Sequence, residues 1–393
     1  MTGRWVVQTR DSDRLITGQV DVFHSLEVAM RHNRGAAWTL TLPADHDQRD
    51  LFTPGAGILV WSPDVTWPIL TGQIRDLTET VTAAGAATVT VTGVDDTARL
   101  TGRVIYPDPT RTADDQTTDT NWVDSDAAET VIRSLVDTQA GAGALAARRI
   151  AGLTVNPDTA TGDTVAVNAR FPGLLDTIAA LADTGGVGIR VVQWDVDNGD
   201  ILTAAGEGTT DLRLQFYTPT DRSDRVRFTS ASGALDGWQH AVAAGTVTRA
   251  IVAGQGEGTA RTIIELADTD AETDWAERQE SFIDARDSND LDVLTQRGYD
   301  QITTAGAAAS LKASPSATAL LAFGRDWWLG DTVTMIVDAV TITAAVSAVT
   351  IKVTGDGEAQ VTPTVGPADT LTGPRIYAAV RALNRRVTQL ETI

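Results

Sequence analysis

The sequence predicts an α+β, mainly β fold: two β-units, each interrupted by a helical excursion, followed by a C-terminal helix. Three observations carry this. Residues 4–94 break into short runs in which apolar and polar side chains alternate between turn residues. Residues 323–337, FGRDWWLGDTVTMIV, enter the same period through Gly330-Asp331 and turn Val333, Met335 and Val337 inward. Helical periodicity appears in separate stretches, Ala127 to Gln139, Leu174 to Asp183 and Leu291 to Thr304.

In chain order, strands are expected at Trp5 to Gln8, Leu15 to Val20, Val22 to Met30 and Ala37 to Leu42. A short helical turn follows at Ala44 to Leu51, then strands at Ile58 to Trp61, Ile69 to Leu77 and Thr88 to Val94. This is a barrel or a sandwich. It closes on Gly93-Val94-Asp95-Asp96, where one of the two carboxylates caps a brief helix, worth about 1 kcal/mol. Adjacent carboxylates also raise a metal or acid/base site, but no histidine or third carboxylate lies nearby at ligand spacing.

Residues 107–126 read as an acidic, Thr-rich loop. Val131, Ile132, Leu135 and Val136 then mark one helix, and Pro172-Gly173 opens a second, so this region reads as an insertion. Strands resume at Val187 to Asp195 and return through Asp197-Asn198-Gly199-Asp200. That run resembles a calcium loop, yet its glycine comes one position early and no Glu follows at the twelfth, which favours a hairpin turn.

From Trp238 a second β-unit leads to Gly254-Gln255-Gly256-Glu257-Gly258. The β-branched run Thr262-Ile263-Ile264 follows those glycines where a phosphate cradle needs a helix, so they read as a hairpin tip. Helical character returns at Thr273 to Arg278 and Leu291 to Thr304, and a strand at Ala309 to Ala313. After residues 323–337 come Val340 and Ile342, then Val349, Ile351 and Val353 running into Gly355-Asp356-Gly357. Together these suggest a meander of three short strands. Pro374 opens a last helix, in which Ile376, Val380, Leu383, Val387 and Leu390 recur at heptad spacing and form a candidate oligomer interface. Two heptads are too few for an independent coiled coil, so that face suits trimerisation or packing on its own barrel. The expected domains are a first β-barrel domain at 1–105, completed by 187–235, and a helical insertion at 106–186. A second β-barrel domain spans 236–368 with a helical excursion at about 267–306, and the heptad helix spans 369–393.

Composition narrows the chemistry. Asp+Glu total 52 against Lys+Arg 31, a net charge of -21, which disfavours nucleic acid and anionic lipid and points to protein partners. With no cysteine there are no disulfides, thiolate metal sites or thiol nucleophiles. The N-terminal MTGRWVVQTRDSDR lacks an apolar signal core, and no apolar run approaches the ~20 residues of a membrane span, so neither export nor insertion is expected. His24, His32, His46 and His240 are scattered, no GxSxG elbow occurs, and no pair of carboxylates stands out. No catalytic, cofactor-binding or metal residue is nominated. Trp5, Trp38, Trp61 and Trp194 fall within strand patterns as core or interface anchors, whereas Trp67 and Trp122 are the rings to test for exposure in a glycan-binding reading.

One series of motifs runs through the chain. Gly93-Val94-Asp95-Asp96 is followed by Leu100 and Arg103, then by Tyr217-Thr218-Pro219 and Asp221-Arg222-Ser223. Gly254 to Gly258 with Arg261 comes next, then Phe282-Ile283-Asp284-Ala285-Arg286-Asp287 and Phe323 to Asp331. In this order and spacing the series resembles the siphophage tail-tip proteins of actinobacterial viruses, often labelled minor tail proteins. The resemblance implies a structural virion protein without turnover, assembled in the host cytoplasm: a homotrimeric baseplate hub, similar in fold to that of contractile phages. It implies two β-barrel domains per chain, so that three chains offer six similar surfaces to a sixfold ring. Its implied partners are the distal tube-end ring protein, other tail-tip or receptor-binding proteins and the tape-measure protein. A tail-associated cell-wall hydrolase and a glycan-binding receptor protein are the alternatives; the first would need a further catalytic domain.

Overall fold

The structure is a computed structural model and describes residues 4–20, 22–47, 49–81, 87–197, 199–202, 210–229, 235–306, 308–315, 321–337 and 340–366. The heptad positions Ile376, Val380, Leu383, Val387 and Leu390 lie outside the described residues.

In chain order the first strands are β1 (Val6–Arg10), β2 (Ile16–Val20), β3 (Ser25–Arg31), β4 (Ala37–Pro43), β5 (Gly57–Trp61), β6 (Pro68–Val81) and β7 (Ala87–Asp95). Then come β8 (Trp122–Ala127), α1 (Ala128–Ala140), β9 (Leu153–Val155), β10 (Thr164–Ala169), α2 (Leu174–Thr184), β11 (Gly188–Asp195), β12 (Asp200–Ile201), β13 (Thr210–Tyr217) and β14 (Arg227–Thr229). The later elements are β15 (Leu235–Ala243), β16 (Arg249–Ala253), β17 (Ile263–Ala267), α3 (Thr269–Trp275), β18 (Glu280–Asp284), α4 (Leu291–Ala305), β19 (Ala308–Pro315), β20 (Thr332–Val337), β21 (Val340–Thr354) and β22 (Ala359–Val365). The protein is mainly β, with few helices. It divides into one unit of residues 1–238 and 313–365 and a second of 239–312 and 366–393.

In the first unit, β22, β21, β3, β4, β7, β6, β5, β1 and β2 follow one another in a single sheet path. Alternation decides which face is buried. Leu26, Val28 and Met30 of β3 lie against Trp38, Leu40 and Leu42 of β4 and Val349, Ile351 and Val353 of β21, all buried, while the residues between them reach solvent. Gly93 in β7 has a steric reason: a Cβ there would fall 2.2 Å from the Trp38 ring and 2.1 Å from the Gln73 carbonyl oxygen. The path is open at β2, whose one partner among the described residues is β1, so the expected closure into a barrel is not seen there.

The meander expected after Asp331 takes a different form. β20 matches its expected strand and buries Val333, Met335 and Val337 completely. The two short strands expected next are one strand of 15 residues. Its first half pairs with β20 and its second with β22 and β3, and the register shifts between Val346 and Ala348. The intervening Ala344, Ala345, Ser347 and Ala348 are small but form no turn, and a bulge there lets one strand change partners.

The helices expected at 127–139 and 174–183 are α1 and α2. Val131, Ile132, Leu135 and Val136 of α1 are fully buried against Leu175 and Ile178 of α2, Val165 of β10 and Leu212 and Leu214 of β13. Strand β8 occupies the end of the expected loop and pairs with β10. Strands β12, β11, β13 and β9 make a four-stranded sheet whose inner face completes this core.

The second unit is smaller. Strands β17, β16 and β18 form a three-stranded sheet, and α4 covers one face of it, packing Leu294 against Ala250, Val252 and Ala285. Asp268 caps α3 by accepting from the Ala271 amide, and Asp290 caps α4 by accepting from Asp292.

Candidate functional site

The carboxylate pair at the end of β7 has two separate structural roles. Asp95 accepts from the Ala98 amide at 3.0 Å, capping the 3-10 turn Thr97–Gly102 from one residue outside it. Asp96 points instead into the core. Its Oδ1 and Oδ2 take two bonds from Arg10 Nη2, at 2.7 and 2.8 Å; Thr71 Oγ1 donates to Oδ2 at 2.6 Å and Arg99 Nε to Oδ1 at 2.9 Å. Burial alone raises Asp96, but Arg10, Arg99 and Thr71 outweigh it and hold the carboxyl at about 2. Asp95 has no ion-pair partner among the described residues, and burial, outweighing its bonds from the Ala36 and Ala98 amides and the Thr97 hydroxyl, pushes it up to about 7.

That contrast gives a test. Asp95 binds its proton more tightly in the folded than in the unfolded chain, whose carboxyl titrates near ~4. Its contribution to stability is therefore complete below ~4 and is lost as pH rises through 7. Asp95→Asn keeps the oxygen that caps Ala98 and removes the charge. The variant is expected to match the wild type in denaturation midpoint at pH 4 and exceed it at pH 8; equal midpoints at pH 8 would contradict the assignment.

Side-chain hydrogen bonds hold β11 against the β1–β7 region, among them Gln193 Nε2 to the Arg14 carbonyl at 2.7 Å. The Ile189 amide donates to Asn33 Oδ1 at 2.8 Å, the Val191 amide to Thr97 Oγ1 at 3.0 Å, and Arg10 Nη1 to Gln193 Oε1 at 2.7 Å. Asn33 also donates to Asp183 at the end of α2, at 2.8 Å. His32 beside it shares a hydrogen bond with the Tyr217 hydroxyl at 3.1 Å, and burial lowers its pKa against the pull of Asp183.

The motifs at 217–223 and 323–331 meet at Asp331, which accepts from the Thr220 amide, Arg222 Nε and the Trp328 amide at 2.8, 2.8 and 2.9 Å. Gly330 is required by backbone and by space, since φ is +87° and a Cβ would lie 2.4 Å from His32. Trp328 stacks on Phe323 at 4.4 Å, and Trp67 meets it edge-on at 5.1 Å. Arg190 lies over both tryptophans, 4.6 Å from Trp67 and 5.4 Å from Trp328, and burial lowers it to about 10. Trp67 is thus half-buried in an aromatic stack, and Trp122 is half-buried against the α1–α2 core, so neither ring is a free platform.

A cavity between these groups, lined by Arg31, Arg34, Asp95, Arg190, Tyr217 and Trp328, holds about 40 Å³, room for a few waters but not for a substrate. Among the described residues no three His, Asp or Glu side chains converge on a metal position. In the second unit, the backbone around Gly254–Gly258 turns its carbonyls inward: Arg261 donates to the carbonyls of Ala253 and Gly254 and pairs with Asp284. The glycine loop and the 282–287 motif are therefore one polar anchor. None of these long-range partners is separable from other Arg and Asp residues by periodicity.

What the first unit leaves open is strand edge. Pairing of β6 with β5 ends at Gln73, and from Asp76 to Val81 its one partner among the described residues is β7. Residues 75–81 are exposed along their whole length, with Leu77 and Val81 among them. Unpaired N–H and C=O groups on such an edge can accept a further strand.

The sequence profile of the family described as Siphovirus ReqiPepy6 Gp37-like protein matches residues 6–367. In fold the chain is similar to the 43 kDa tail protein of prophage MuSo2 from Shewanella oneidensis, with 12% identity and a TM-score of 0.56 over 94% of this chain and 100% of that one. It is also similar to the tail protein from Neisseria meningitidis MC58, with 10% identity and a TM-score of 0.56 over 94% of this chain and 98% of that one. At such identities the likeness is one of fold. No curated protein matches the sequence.

Proposed function

The chain belongs to the Siphovirus ReqiPepy6 Gp37-like protein family, and from that premise we propose that it is a structural protein of the phage tail, a trimeric tail-tip hub. In this reading it closes the distal end of the tail tube and adapts a sixfold tube ring to a threefold tip. The observation that carries the reading is the sheet edge at residues 75–81 of β6, open and exposed among the described residues and so available to a neighbouring subunit. The fold shared with two prophage tail proteins supports it. The polar networks at Asp96, Asp331 and Arg261 serve rigidity: each places a carboxylate against a guanidinium and backbone groups.

Mass measurement of the full chain in solution tests the proposal, with a trimer expected. A monomer at micromolar concentration, alone and with the tube-end ring protein, or a particle image placing the chain away from the tail axis, counts against it. The heptad face supplies a separate test. Leu383→Asp is expected to weaken the trimer by at least about tenfold in dissociation constant if that face joins subunits, because it buries an unpaired charge. An unchanged trimer would assign the face to intrachain packing.

A further inference from the structure

In the second unit α4 packs on one face of the β17-β16-β18 sheet, the face of Ala250 and Val252. Register fixes what lies on the other. Ile251 pairs with Glu265 of β17 and Phe282 of β18, and Ala253 pairs with Ile263 and Asp284; paired residues share a face. The centre of this second face is apolar and open. Ile263 is 58% exposed and Phe282 59%, with Ile251 half-buried on the strand between them. The surrounding charges already face one another, Arg249 with Glu265, Arg261 with Asp284 and Arg278 with Glu280. A satisfied polar rim around an apolar centre left in water is the anatomy of a surface that another element covers.

Two properties of the sequence single out the cover. The first is length. Among the stretches outside the described residues, 367–393 holds 27 residues and no other holds more than seven. Its apolar stripe from Ile376 to Leu390 would be about 21 Å long as a helix, against about 17 Å for the five-residue strands it would cross. The second is charge. Residues 374–393 carry Arg375, Arg381, Arg385 and Arg386 against Glu391, whereas residues 239–312 carry 13 acidic side chains against 6 basic ones. A basic amphipathic segment in an acidic chain is drawn to its most acidic neighbours. Two heptads associate weakly by themselves, but a segment tethered through residues 366–373 meets its own chain at an effective concentration in the millimolar range. We propose that residues 374–393 dock as a helix across the open face of β17, β16 and β18 of the same chain, laying the stripe of Ile376, Val380, Leu383, Val387 and Leu390 over Ile251, Ile263 and Phe282. The contact is independent of the trimeric reading and gives the heptad face a role within the chain.

The chain has no cysteine, so thiols can be placed one pair at a time in the full-length protein. One is set at the edge of the face, Ala267→Cys at the end where Ala267 pairs with Arg249, or Asp284→Cys at the other. The second is set in the helix, at Ala379→Cys beside the stripe or at Ala378→Cys on the opposite side. These two positions share one tether length and leave every stripe residue in place. With a short bifunctional maleimide, one of the two face positions is expected to link to Ala379→Cys within a single chain at least about tenfold faster than to Ala378→Cys, because docking turns one thiol to the sheet and the other to solvent. Adding Leu383→Asp is expected to erase that difference. Equal rates at 378 and 379 from both face positions mean an undocked segment and overturn the proposal. Links that join two chains give the face to a neighbouring copy's helix; they overturn the contact within the chain and leave the trimeric reading standing. A wild type that stays monomeric yet links preferentially through Ala379→Cys removes the trimeric reading and supports this contact.

Discussion

Asp96→Ala is expected to cost about 3–5 kcal/mol of folding stability, because it leaves Arg10, 1% exposed, with a single hydrogen-bond partner in the core. The reverse deletion is milder. Arg10→Met leaves Asp96 with Arg99 and Thr71 and replaces the guanidinium by an apolar side chain of comparable reach. The expected order in denaturant midpoint is therefore wild type, Arg10→Met, Asp96→Ala, and the reverse order would show that Arg10 finds water when its partner is gone. Acid gives an independent reading. Asp96 titrates at about 2 in the folded protein and near ~3.9 when unfolded, so its contribution is present above ~4 and is lost as pH falls through 2. At 1.36 kcal/mol per pKa unit that is about 2–3 kcal/mol. Its neighbour Asp95 acts in the opposite sense and destabilises as pH rises toward 7. These two adjacent carboxylates favour a stability maximum near pH 4, and Asp95→Asn is expected to broaden it toward neutrality.

Periodicity made the elements legible. The spacing of Val131, Ile132, Leu135 and Val136 fixes α1 because four side chains on one stripe must be buried together, and alternation at 332–337 does the same for β20. Strand β8 escaped because WVDSDA carries two aspartates, and its alternation makes sense only beside β10, whose Thr164 pairs with Ala127. The joining of β21 into one strand escaped for a related reason: its bulge at Val346 answers to the partners β3 and β22, which lie elsewhere in the sequence. The polar anchors were visible as motifs without their purpose. Arg10 and Asp96 are 86 residues apart and Arg222 and Asp331 109 apart, and a single ionic pair has no period to betray it. The open edge of β6 was hidden likewise, since its residues read as strand whether or not β5 continues beside them.

Asp331→Ala is the second large effect. Asp331 is 4% exposed, and its two oxygens satisfy the Thr220 and Trp328 amides and Arg222 Nε. Truncation leaves two backbone donors without a partner, each costing about 1–3 kcal/mol, so a loss of about 3 kcal/mol is expected. Asp331→Asn should lie between, because one amide oxygen can still accept from Thr220 while the new NH₂ faces the donors of Arg222 and Trp328. The damage is also expected to be local before it is global. Trp328 is held by its amide to Asp331 and by its ring to Phe323 and Trp67, so losing the carboxylate frees one of its tethers. Near-ultraviolet circular dichroism of Asp331→Ala at low denaturant should then lose aromatic signal while the far-ultraviolet strand signal persists. A loss under about 1 kcal/mol with an unchanged aromatic signal would mean that water replaces the carboxylate. The 217–223 and 323–331 motifs would then be joined by β14 pairing with β20, and not by this ionic knot.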